Sequence, residues 1–231
     1  MLKKIVKIVY FYFFGSKKSY SQTGEDLIVN FYLSQIENGF YVDVGAHHPV
    51  SLNNTYLFYK RGWRGIAIEP NIYLSKFFHA IRRKDTVLNL GVGEKSSQLD
   101  FYNMDPDTLS TFSNEKAQEY VKLGHKLENV SKVAVKPLKE ILTEHVKARD
   151  IDLLNVDTEG FDMEVLKSND WQEFRPKVVI LEVVDYKRDH GIRKENEMSE
   201  FMNGVGYVKL ADTYINAIYM EKSYALSRKI I

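Results

Sequence analysis

Asp43, Glu69, Asp157, Glu159 and Glu182 are the residues of this sequence best placed to do chemistry, because each stands at or just past the end of an apolar run. The first run closes in Asp43-Val44-Gly45-Ala46, the second in Glu69-Pro70, and a third leads into Gly91-Val92-Gly93-Glu94. The run before Asp157 opens into Asp157-Thr158-Glu159-Gly160, and the next carries Glu182. A carboxylate so placed can accept from both hydroxyls of a ribose, take a proton as a general base, or ligate a hard cation. Gly45 permits close backbone approach to a ligand. It is followed by Ala46, His47 and His48 rather than by the further glycines of the dinucleotide fingerprint, which weakens a nicotinamide reading. Histidine titrates near neutrality, so His48 suits a base. Adjacent histidines rarely face one ion together, yet His48 with Asp157 and Glu182 would form a set suited to magnesium or manganese. Packing, or contact with a cofactor, is an equally good use of His48. Gln22 and Asn54 add neutral groups that can hold sugar hydroxyls or a cofactor carboxylate, while nearby Ser21 and Asn54 can also simply cap helices.

The elements that must position these groups follow from periodicity. Helical spacing of apolar residues starts at Leu27 and stops at Asn38-Gly39, and residues 40–44 form a short buried strand. Helix 53–59, strand 65–69, helix 74–81 and strand 86–90 follow in alternation. Residues 98–102 alternate, 105–113 are a polar loop with the makings of a lid, 115–123 a helix, 132–135 a strand and 138–145 a helix. Strand 151–156, helix 162–166, strand 178–184 and helix 195–203 lead to a terminal antiparallel pair, 207–210 with 217–220. Strands alternating with helices predict a mostly parallel α/β sheet covered on both faces, with its ligand at the carboxyl ends of the strands. Trp63 and Trp171 read as core residues.

Composition narrows the partners. The formal net charge of +1 gives no bulk electrostatic case for nucleic acid, and the absence of cysteine excludes disulfides and thiolate metal sites, which suits a cytoplasmic enzyme. Residues 1–18, MLKKIVKIVYFYFFGSKK, form an apolar and basic segment ahead of the domain spanning 19–231. Its apolar stretch is interrupted by Lys7 and too short to cross a bilayer. It can pack on the domain or on a second subunit, or lie in a membrane interface as a peripheral contact.

Five stretches together resemble the FkbM family of S-adenosylmethionine-dependent methyltransferases: SQTGED at 21–26, YVDVGAHHP at 41–49, NNTYLFYKRGWRGIAIEP at 53–70, DLLNVDTEGFDMEVLKSNDW at 152–171 and RPKVVILEV at 175–183. The resemblance implies a Rossmann-like class I methyltransferase fold, whose mostly parallel seven-stranded sheet has an antiparallel last strand and helices on both faces. It implies that Asp43, Gly45 and Ala46 surround the cofactor's methionine portion and that Glu69, next to Pro70, meets its ribose. Gly91 and Val92 would lie near the adenine. The implied reaction is methyl transfer to a hydroxyl of a sugar, glycan or nucleotide-linked sugar. A protonated alcohol is a poor nucleophile, so a carboxylate or histidine base (Asp157, Glu159 or His48) or a divalent cation has to assist. Asp157 can instead orient the cofactor amine, and Glu159 can cap the following helix. Two other readings stay open from sequence: a nicotinamide-dependent oxidoreductase, and a non-catalytic Rossmann-like partner in glycan assembly.

Overall fold

The computed structural model describes residues 17–146, 149–185, 192–193 and 195–231, and within these the side chains outside 184–196. Of residues 1–18, which were expected to make the membrane or subunit contact, residues 1–16 lie outside the described residues. The chain enters through α1 (Glu25–Tyr32), then β1 (Phe40–Val44), α2 (Tyr56–Lys60), β2 (Arg64–Ile68), α3 (Ile72–Ile81) and β3 (Thr86–Leu88). After β4 (Gly91–Val92) come β5 (Ser97–Asp105), a 3-10 turn (Asp107–Leu109), α4 (Asn114–Lys122) and β6 (Lys126–Lys136). Then follow α5 (Leu138–His145), β7 (Leu153–Val156), α6 (Asp162–Lys167) and β8 (Val178–Glu182). A short pair, β9 (Val184–Asp185) and β10 (Ile192–Arg193), precedes α7 (Glu195–Gly204), β11 (Tyr207–Asp212), β12 (Asn216–Glu221) and α8 (Lys222–Ser227).

Seven strands form the main sheet in the order β11-β12-β8-β7-β1-β2-β3. β1, β2, β3, β7 and β8 run parallel; β12 lies antiparallel between β8 and β11. The expected reversed last strand is therefore present, inserted inside the sheet rather than added at its edge. Period-two alternation divides the core. Phe40, Val42, Val44, Ile66, Ile68, Leu154 and Val156 pack on α5 and α7 on one face. Tyr41, Leu153, Val178 and Ile180 pack on Val29, Phe58 and Ala225 of α1, α2 and α8 on the other. β1 and β8 are buried at every position, which only a strand covered on both faces can be. Chain order reverses between β1 and β7, so the carboxyl ends of these two strands part and leave a crevice.

One region departs from the sequence expectation. The segments predicted as short strands 98–102 and 132–135 are parts of a long antiparallel hairpin, β5 of nine and β6 of eleven residues, which joins β4 in a separate sheet. Strand 86–90 ends at Leu88, because the chain turns out of the main sheet to supply β4. The polar loop 105–113 carries the 3-10 turn and returns to the hairpin through a backbone pair between Tyr102 and Thr111. No helix among the described residues is long and apolar enough to cross a membrane.

Candidate active site

A cavity of about 280 Å³ opens where β1 and β7 part, with the β5–β6 hairpin region above it. Asp43 lies at its floor, fully buried in β1. One carboxylate oxygen accepts from Thr55 Oγ1 at 2.6 Å and Asn53 Nδ2 at 3.2 Å, the other from Asn155 Nδ2 at 2.9 Å. Asn155 in turn accepts from Asn54 Nδ2 at 2.8 Å. Arg82, also fully buried, reaches the same loop from α3 and donates to the Pro49 carbonyl (2.8 Å), Thr55 Oγ1 (2.7 Å) and Asn53 Oδ1 (2.5 Å). Asp43 thus orders the floor, with a guanidinium behind it. Nothing in the sequence marked Arg82, which reads there as one cation of an exposed helix end.

Gly45 has φ +74°, and a Cβ there would stand 1.8 Å from the Asp157 carbonyl oxygen. Glycine is required because the two strand-end turns touch each other, whatever else approaches. The amides of Gly45 and Ala46 donate to the Ile68 carbonyl at 3.0 and 3.1 Å. They are not free to cradle a pyrophosphate, which removes the basis of the nicotinamide reading.

Glu69 is buried beside this turn, and both of its oxygens are engaged by backbone amides, His47 N and Asn71 N, each at 2.7 Å. Burial pushes its carboxyl up to about 7, against the pull of those two hydrogen bonds. Each oxygen keeps a second lone pair for a hydroxyl donor. His47, with φ +49°, lines the cavity and meets Asp107 of the 3-10 turn at 3.1 Å.

The structure does not bring His48 to the other candidates. Its Nδ1 accepts the amides of Val50 and Ser51 at 3.1 and 2.9 Å, and its ring packs against Phe77. It is absent from the cavity lining. Burial, then the neighbouring His47, lowers its pKa, so it stays neutral and serves its own turn. The reading of His48 as base or metal ligand therefore gives way to a packing role.

In its place Glu159 joins Asp157 and Glu182: these three carboxylates offer oxygens that all lie within 4.8 Å of one another. Burial raises the pKa of Asp157 well above the usual range, and the charges of Glu159, Asp162 and Asp43 add to it. Glu182 is raised for the same first reason, with Glu159 and Asp157 contributing, and Lys116 opposes both. Glu159 has φ +51°; its carbonyl accepts from Thr111 Oγ1 at 2.9 Å and its carboxylate from Tyr120 hydroxyl at 3.0 Å. Asp162, not Glu159, tethers the turn before α6, accepting from Thr158 N, Thr158 Oγ1 and Gly160 N at 2.9–3.2 Å. Thr111, Lys116 and Tyr120 are site-forming residues that the sequence did not single out; each comes from the hairpin region whose pairing was not legible.

Gln22, Asn54, Pro70, Gly91 and Val92 all line the cavity. Gln22 is placed by the two acids after it. Asp26 accepts from Ser19 Oγ, Tyr20 N and Ser21 Oγ at 2.7–3.0 Å. Glu25 accepts from Thr23, from Thr213 Oγ1 at 2.7 Å and from Asn216 Nδ2 at 2.9 Å. At Gly91 a Cβ would meet the Phe112 ring at 2.4 Å, and Phe112 leans on Phe101 and Phe161. The cavity lining has two characters: apolar groups at Phe101, Phe112, Leu109 and Leu90, and a cluster of acids at Asp157, Glu159 and Glu182.

A mostly parallel sheet with a reversed strand inserted near one edge, and acids gathered where the strand order reverses, is a Rossmann-like fold with a cavity at its switch point. The family model described as the methyltransferase FkbM domain matches residues 43–209, and the chain belongs to that family. It is an S-adenosylmethionine-dependent methyltransferase. Among solved structures, it is similar to a TehB-like SAM-dependent methyltransferase from Corynebacterium glutamicum. That match has a TM-score of 0.46 and 9% identity, and covers 95% of this chain and 97% of the other. It is also similar to precorrin-6y C5,15-methyltransferase from Geobacter metallireducens, with a TM-score of 0.43 and 12% identity, covering 89% and 90% of the two chains. Curated proteins offer no match to the chain.

Proposed function

We propose that this enzyme methylates a hydroxyl group of a sugar, glycan or nucleotide-linked sugar, and that the acids after β7 and β8 activate that hydroxyl. The observation that carries the proposal is the meeting of Asp157, Glu159 and Glu182 at one end of the cavity. S-adenosylmethionine, when bound, supplies an electrophilic methyl carbon on a sulfonium. The residues present fit it. The aromatic wall at Phe101 and Phe112 suits a flat base, Glu69 can accept ribose hydroxyls, and the floor around Gly45 and Ala46 is left for the methionine portion.

Asp157 would hold the acceptor hydroxyl and take up the proton that the oxygen loses on methylation. A raised pKa makes it a stronger base than an ordinary carboxylate. Gln22 and Asn54 offer neutral donors and acceptors to the acceptor's other hydroxyls, which is the support for a polyhydroxyl substrate. A cytoplasmic site of action goes with this reading, since a chain without cysteine has no need of an oxidising compartment. A second reading is favoured by the spacing of the three acids: Asp157, Glu159 and Glu182 would hold magnesium or manganese, and the cation would stabilise the alkoxide.

Radiolabelled methyl transfer to a panel of sugars and nucleotide-linked sugars tests the proposal. Asp157→Asn should lower turnover by about 10²–10⁴-fold with S-adenosylhomocysteine affinity kept within a few-fold. Transfer at the wild-type rate by Asp157→Asn would refute the base. Activity unchanged by a chelator would refute the cation.

A further inference from the structure

We infer that the face formed by α2, α3 and the chain entering at Lys17 docks on an anionic lipid bilayer. The inference stands apart from the methyltransferase reading, since none of its residues is assigned to the chemistry. The formal charge of +1 hides a strong internal asymmetry. Residues 1–18 carry five lysines and no acid, and residues 44–84 carry seven Lys and Arg against one acid, Glu69, which is buried in the cavity. The rest of the chain holds 20 Lys and Arg against 30 Asp and Glu. Positive charge is thus concentrated in two segments; Arg82 is buried and Arg61 is turned to the carbonyls of Leu33, Ser34 and Ile36, while Lys18 and Lys60 meet at the Tyr20 ring and Lys76, Arg83 and Lys84 stand exposed on α3 and its end.

On α3, Tyr73, Phe77 and Ile81 recur every four residues and so share a side of the helix; they are 76%, 42% and 40% exposed, while Phe78 faces inward and is fully buried. At the cavity end Leu52, 53% exposed, belongs to the loop that His48 organises, and the His48 ring meets Phe77 at 5.2 Å. At the far end the Tyr59 hydroxyl reaches the Ile81 carbonyl at 3.5 Å, and Arg64 lies 5.2 Å from the Tyr59 ring. Tyr56 stacks on Tyr59, Tyr20 meets Tyr56 at 4.8 Å, and Lys18 and Lys60 both stand 5.2 Å from the Tyr20 ring. Lys76, Arg83 and Lys84 are exposed along the same helix and its end. A belt of apolar, aromatic and basic side chains, exposed along α3 and half-buried at Tyr59, Arg64, Tyr56 and Tyr20, therefore runs from the cavity rim to the point where residues 1–16 join the domain.

This mixture matches a bilayer interface. Aliphatic and aromatic side chains enter the headgroup boundary, tyrosines sit at its level, and lysine and arginine meet anionic headgroups. An exposed helix side carrying Tyr73, Phe77 and Ile81 is unusual on a surface that faces only water. Nucleic acid would answer the charge but leave Leu52, Ile72 and Ile81 without a partner. The sequence of residues 1–16, lysine-rich, apolar and aromatic, extends the same chemistry beyond Lys17.

Flotation of the full-length protein with vesicles tests this, using phosphatidylcholine alone and a mixture with one-third phosphatidylglycerol. Binding to the anionic vesicles should be about tenfold tighter or more, and should weaken with salt. The triple change K76E/R83E/K84E and the double change Y73S/F77S should each weaken it about tenfold, while K126E/K132E on the hairpin leaves it unchanged. Wild-type binding by both belt variants would overturn the inference, as would no preference for anionic vesicles. A dimer that dissociates on Y73S/F77S while vesicle binding persists would assign the belt to a second copy and also overturn it. So would single-stranded RNA binding tighter than the vesicles.

Discussion

Below the cavity, Asp43 and Arg82 are fully buried and knit β1, α3 and the loop at Asn53–Thr55 into one hydrogen-bonded block. Above it, the β5–β6 region reaches the strand-end turns through side-chain contacts, His47 with Asp107 at a half-exposed rim and the buried Tyr120 with Glu159. The floor shares its residues with the hydrophobic core, so it cannot shift without disturbing the sheet. The roof belongs to a separate three-stranded sheet. The division predicts that stability rests on the floor and that changes in the roof act first on the substrate.

The sharpest way to break that division is at the floor. Arg82→Met strips three hydrogen bonds from a loop that also serves Asp43 and should cost about 3–5 kcal/mol in urea unfolding, with cofactor binding lost alongside. A variant that unfolds like the wild type would show that the block does not carry the fold.

Glu69 tests the seam between floor and roof, where it holds the amide of His47. Its carboxyl is pushed up to about 7, above the ordinary 4.5, so the folded chain keeps a proton that the unfolded chain has released across that interval. Its contribution to the stability of the ligand-free protein must therefore fall as pH rises from about 4.5 to 7 and then level off. Hydroxyl donors prefer the ionised form, so S-adenosylhomocysteine affinity should rise about tenfold between pH 6 and 8 by calorimetry. Glu69→Gln should flatten both dependences. If the pH dependence survives in Glu69→Gln, the titrating group lies elsewhere.

At the roof the expected effect on folding is smallest. Thr111→Val removes the hydroxyl that donates to the Glu159 carbonyl and should change stability by about 1 kcal/mol. The readout that matters is kinetic. KM for the acceptor should rise several-fold, because Glu159 loses the contact that helps hold its left-handed backbone. A stability loss as large as that of Arg82→Met would merge the two regions into one unit.

Much of the floor was legible in the sequence. The runs before Asp43, Glu69, Asp157 and Glu182 are short, apolar and bounded by glycine or proline, so the strands and the acids at their ends could be located without coordinates. Their side chains then follow from period two. The resemblance of five stretches, 41–49 and 53–70 among them, to one family added the seven-stranded sheet with its antiparallel last strand; the strand order and the insertion of that strand between β8 and β11 came from the structure. The roof was not legible for a physical reason. β6 alternates mostly exposed positions with only Val133 and Val135 buried, so its eleven residues carry little apolar signal. Its partner β5 lies far away in sequence, across the 3-10 turn and α4.

His48 and Glu159 show the same limit on a smaller scale. They stand four and three residues past their strand ends, and sequence alone gives them equal standing. The left-handed backbone of Glu159 helps bring it to Asp157, whereas the turn after Gly45 leaves the His48 ring on its own loop amides. What the amino-acid order determined was the local alternation of apolar and polar residues, and with it the strands, the acids at their tips and the family. Which acids meet, which histidine is excluded and that a buried arginine underlies the site were decided by tertiary structure, because those outcomes depend on strand register and turn direction between segments up to a hundred residues apart.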